Sequence, residues 1–84
     1  MPQVRVRMER EVVMSREEID HLDAMIIPLL SRRVTASHMV IAEKRANGRP
    51  VLDEAREEQI LVKAPRGPVR DCMAAVLRIC RESA

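Results

Sequence analysis

Cationic side chains recur where an apolar helical face expects aliphatic ones. Arg33 stands seven residues after Ile26, on a stripe formed by Ile19, Leu22, Ile26, Leu29, Leu30, Ala36, Val40 and Ile41. Lys44 follows eleven residues later, almost three whole helical turns, so both side chains face the same way. Asp53, Arg56 and Glu57 repeat the pattern at i, i+3 and i+4 on a second segment. Cations and carboxylates facing inward make a poor core and a plausible pocket for a small polycarboxylate. Arginine suits that task because its planar fork binds a carboxylate through two parallel hydrogen bonds. The plainer alternative is that Arg33 and Lys44 reach solvent along their aliphatic stems and pair with Glu57 or Asp53.

These residues must be held by helices. Ser15 with Glu18 three residues on reads as a capping box. The stripe then runs to Asn47-Gly48, a helix stop with Pro50 just beyond. That is a helix of about 32 residues, near 48 Å long, with a kink expected at Pro28. Asp53 can cap a second helix carrying Ile60, Leu61 and Val62. Pro65-Arg66-Gly67-Pro68 is a turn, and a third helix follows with Cys72, Met73, Val76, Leu77, Ile79 and Cys80 apolar. Residues 1–13 stand apart as an extension, either frayed and disordered or strand-like, because Val4-Arg5-Val6-Arg7-Met8 alternates apolar and basic. The helical domain spans 14–84. A compact chain of this size has a diameter of only about 30 Å. Two short helices cannot cover a 48 Å stripe, so a second copy is the simplest partner, giving a helical homodimer.

Composition narrows the function. The 84 residues contain no Phe, Tyr or Trp. Base-stacking RNA and single-strand modules and aromatic cages are thereby excluded. Fifteen basic and thirteen acidic residues leave a net charge of +2, too balanced to imply a nucleic-acid partner. No stretch is long and apolar enough for a membrane span, and Arg5, Arg7, Glu9 and Arg10 do not make a secretory leader. Cys72 and Cys80 read as buried thiols in a reducing, cytoplasmic compartment. They cannot bridge within one helix, since eight residues separate them by about 12 Å. His21 and His38 form no ligand set with them, so neither metal nor cofactor is expected, and both histidines read as surface or interface residues.

The ordered string carries a resemblance. Arg16-Glu17-Glu18-Ile19-Asp20 with Leu22-Asp23 is followed by Leu29-Leu30-x-Arg32-Arg33 and by Ile41-Ala42-x-Lys44. Then come Gly48-x-Pro50-Val51-x-Asp53 and Arg56-Glu57-Glu58-Gln59-Ile60-Leu61. This resembles the all-helical, AroQ-type chorismate mutases, closely over 14–62 and loosely over 69–84. The resemblance implies an all-α chain of three helices interlocked as a homodimer. It implies the Claisen rearrangement of chorismate, a small dianion, to prephenate in aromatic amino-acid biosynthesis. Carried over by position, Arg33 and Arg56 would bind substrate carboxylates. Lys44 would hydrogen-bond the ether oxygen and a carboxylate. Asp53 and Glu57 would meet the ring hydroxyl, with Glu57 the stronger candidate. Arg16 would come from the partner subunit. Spacing agrees on the last point: Arg16 lies seventeen residues before Arg33, about 25 Å along one helix.

The chain departs from the family pattern in two places. Pro28 replaces an ordinary helix former. On the last helix, aligning Val76, Ile79 and Cys80 with the buried positions puts Ser83 at the family's hydroxyl site. Its Gln or Glu partner then falls past Ala84, unless Glu82 serves from a shifted register. A glutamate in that role must be protonated to donate, which would favour acidic pH. With nothing there, the enzyme would be weak, and full activity would depend on an activating partner enzyme or on additional residues. Other readings are a 4-amino-4-deoxychorismate mutase, an isochorismate pyruvate lyase, an inactive helical dimer that binds another enzyme, and a ribbon-helix-helix DNA-binding dimer using Val4–Met8 as its ribbon.

Overall fold

In a computed structural model the chain is described over residues 2–84, with side chains from Ser15 onward. Three helices follow in order: α1 (Pro2–Ala46), α2 (Glu54–Leu61) and α3 (Pro68–Glu82). There is no strand among the described residues. The chain divides into two compact units, Met1–Ser31 and Arg32–Ala84.

Helix α1 starts earlier than the capping pattern at Ser15 predicts, since its 45 residues begin at Pro2. Proline suits a first helical turn, where its missing N–H has no partner to lose. No further proline or glycine interrupts the segment before Pro28. The alternation at Val4–Met8 therefore forms no strand. A lone strand has no ladder to join, and helix satisfies every backbone group locally. This removes the ribbon on which the ribbon-helix-helix reading depended. Pro28 lies inside α1 without ending it. In the unit Met1–Ser31, every described side chain is exposed.

The end of α1 is built as the sequence predicts. The Arg49 N–H donates to Lys44 O at 2.8 Å and the Gly48 N–H donates to Arg45 O at 3.2 Å. This crossed pair closes a helix when the residue after the cap takes positive φ. Gly48 supplies it, at φ 66°. Asp53 caps α2 from an extended backbone, its Oδ1 accepting from the Arg56 N–H at 3.0 Å. Gly67 precedes α3 at φ 105°, and Pro68 opens the helix. Arg70 then ties α3 back to the preceding turn, with Nε and Nη2 both donating to Ala64 O at 3.0 and 2.7 Å.

Within Arg32–Ala84 the core is small. Ile41 of α1 and Leu77 and Cys80 of α3 are the fully buried side chains. The face of α3 turned inward is therefore centred on Leu77 and Cys80. Ile79, expected among the buried positions, is half exposed at 50%. Cys72 is also exposed rather than buried. Eight residues advance a helix by two turns and roughly 80°, which carries Cys72 off the face that Cys80 occupies.

Candidate active site

The C-terminal half of α1, the start of α2 and the last turns of α3 enclose a cavity of about 330 Å³ within Arg32–Ala84. Lys44 sits in the last turn of α1, where the helix dipole favours a cation. Arg33 and Lys44 both line the cavity, as their spacing requires. From α2 come Asp53, Arg56 and Glu57. The five inward-facing charged positions read from the sequence thus meet in one place.

Their partners show what each can do. Arg33 Nη1 donates to the Cys80 thiol at 3.2 Å. Lys44 Nζ donates to Val51 O at 3.4 Å, a long and weak bond. Asp53 is committed to its capping bond with the backbone of Arg56. Glu57 is held by Arg81, whose Nε reaches Oε2 at 2.7 Å. The plainer alternative, in which Arg33 and Lys44 pair with Glu57 or Asp53, is therefore not realised. Among the described residues no salt bridge involves Arg33, Lys44 or Arg56. The cavity walls carry four cations against two carboxylates, an excess of two positive charges.

Val40, Ile41, Ile60 and Leu77 give the cavity apolar walls beside these charges. Residues 15–80 match the model of the family described as chorismate mutase type II. The chain belongs to the chorismate mutase type II family. No curated protein and no solved structure matches it significantly. Membership makes an isomerase of the chorismate mutase class the expectation at family level, and the cavity holds the positions that the resemblance assigns to Arg33, Lys44, Asp53, Arg56 and Glu57.

The last helix differs from its sequence reading. Ser83 is the C-cap of α3 and bonds His38 Nε2 at 2.8 Å, outside the cavity. Glu82 is exposed and pairs with Arg78 one turn back at 3.5 Å. Neither lines the cavity. The reason is rotational: with Leu77 and Cys80 inward, the next inward position is Arg81, and Glu82 and Ser83 fall beside it. Arg16 is exposed on the unit Met1–Ser31.

Two lining residues were not singled out from the sequence, Ser37 and Arg81, and Cys80 was read only as a buried thiol. Ser37 was legible, since it stands four after Arg33 and seven before Lys44 on the same face. Arg81 stands four after Leu77, yet its ion pair joins residues 24 apart, which no local pattern announces.

Proposed function

We propose that this chain is a chorismate mutase that converts chorismate to prephenate. The observation that carries the proposal is the convergence of Arg33, Lys44 and Arg56 on one cavity while its two carboxylates are engaged by other groups, Asp53 by the α2 cap and Glu57 by Arg81. The rearrangement is unimolecular: an ether C–O bond breaks as a C–C bond forms, with no nucleophile and no obligatory proton transfer. Such a reaction asks a protein for two things. It must hold a flexible dianion in its compact, reactive conformer. It must also place fixed positive charge where negative charge grows on the ether oxygen.

Arg33 and Arg56 bind the two substrate carboxylates. Lys44, held only by a long bond to Val51 O, is free to turn to the ether oxygen. Glu57 accepts from the ring hydroxyl, with Asp53 nearby on the same helix end. Where the aliphatic walls exclude water around a bound substrate, each of these interactions is strengthened.

The functional unit is a homodimer in the cytoplasm, with Arg16 supplied across the interface. Support comes from the apolar stripe of α1, where Ile19, Leu22, Met25, Ile26 and Leu29 are 44–56% exposed. A row of aliphatic side chains this long does not remain in water in a stable protein. A second copy offers the same stripe, so the interface is self-complementary. Because α3 brings neither Ser83 nor Glu82 to the cavity, the contact at the ether oxygen has to come from further residues or from an activating partner enzyme. The test is direct. Purified protein is incubated with chorismate, alone and with candidate partner enzymes, and prephenate is followed. No consumption above the uncatalysed background in any of these mixtures refutes the proposal.

A further inference from the structure

Glu57 is gripped from another helix. Arg81 of α3 donates Nε to Oε2 at 2.7 Å and Nη2 to Oε1 at 3.3 Å. The two side chains are 32% and 21% exposed, and both line the cavity. Arg81 is therefore unlike the other three cations there. Its fork is already filled by a carboxylate, whereas Arg33, Lys44 and Arg56 have none among the described residues.

A two-point grip does more than join α2 to α3. A glutamate side chain is flexible, and fixing it before a ligand arrives removes that ordering cost from binding. Each carboxylate oxygen can accept two hydrogen bonds. Arg81 uses one on each, which leaves one on each for a donor in the cavity. Asp53 offers no such surplus of order: its carboxylate is spent at Oδ1 on the α2 cap. We infer that Arg81 is the positioning residue for Glu57, holding it as a fixed acceptor aimed at a hydrogen-bond donor on the substrate ring. The pair then favours ring substrates that carry a donor, such as a hydroxyl, over those that present only an acceptor at that place. This rests on the reading of the cavity as a chorismate site with Glu57 at the ring hydroxyl.

A double-mutant cycle separates positioning from stapling. Arg81→Met is made in the native chain and in Glu57→Gln, and kcat/KM for chorismate is measured for all four proteins together with their thermal midpoints. In the native background Arg81→Met lowers kcat/KM about tenfold to hundredfold, and in the Glu57→Gln background less than about twofold. Arg81→Lys, which keeps the charge but loses the fork, recovers part of the loss. It also serves as the cycle partner if Arg81→Met does not fold. An equal loss in both backgrounds, or none in the native one, overturns the inference while turnover by the wild type leaves the mutase reading standing. A wild type that neither binds nor consumes chorismate overturns both.

Discussion

Each charged side chain of the cavity has one physical role that a substitution can isolate. Arg33, Lys44 and Arg56 are the uncommitted cations, so removing one subtracts substrate-binding charge without breaking an ion pair. Arg33→Ala, Lys44→Ala and Arg56→Ala should each lower kcat/KM by about a hundredfold or more, the scale expected when a charge that stabilises a transition state is lost. The folded state should persist, as judged by circular dichroism and gel filtration. Lys44→Arg should rescue poorly, because a planar fork cannot replace a compact ammonium at a single oxygen. The contact between Arg33 and Cys80 gives another handle. Cys80 is 2% exposed and accepts from the Arg33 guanidinium. Cys80→Ala should therefore loosen Arg33 and raise KM for chorismate more than it lowers kcat. Steady-state kinetics at saturating and limiting substrate would distinguish the two.

At the scale of the elements, Asp53 serves the fold first. Its Oδ1 satisfies the Arg56 N–H at the start of an eight-residue helix. Asp53→Ala should cost about 1 kcal/mol of stability in denaturant unfolding, and Asp53→Ser should cost less than half as much, since serine caps comparably. Any activity lost in both variants then belongs to the carboxylate and not to the cap. Much of this level was legible in the sequence. The stop at Asn47-Gly48, the cap at Asp53 and the turn before Pro68 are local signals, each a residue type demanded by one backbone geometry. So was the face that unites Arg33 with Lys44. Two things were not. The start of α1 was misplaced because Ser15 and Glu18 satisfy a capping pattern in a segment that simply continues as helix. The rotation of α3 was misjudged because Met73, Val76, Leu77, Ile79 and Cys80 are apolar around much of the helix. Only tertiary packing decides which of them turn inward, and with them whether Arg81 or Ser83 reaches the cavity.

At the scale of the whole molecule, the proposed dimer makes predictions that no single chain can meet. Replacing both Leu22 and Ile26 with Glu puts charge on the exposed stripe of α1. Sedimentation should show loss of the dimer, and chorismate turnover should vanish with it. A second experiment tests the shared site. Mixing inactive Arg16→Ala with inactive Arg33→Ala should restore about a quarter of wild-type activity. Half of the redistributed dimers are mixed, and one site in each mixed dimer carries neither defect. Verified subunit exchange without recovery would rule out an Arg16 contribution across the interface.

Among the described residues three buried side chains, Ile41, Leu77 and Cys80, are a slender anchor for a folded chain. In the proposed dimer most of the folding free energy is then supplied by association, and mass action governs both. Catalytic output would rise more steeply than in proportion to the amount of protein present. Dilution would disarm the enzyme without any inhibitor, and the level of synthesis would itself act as a control on flux.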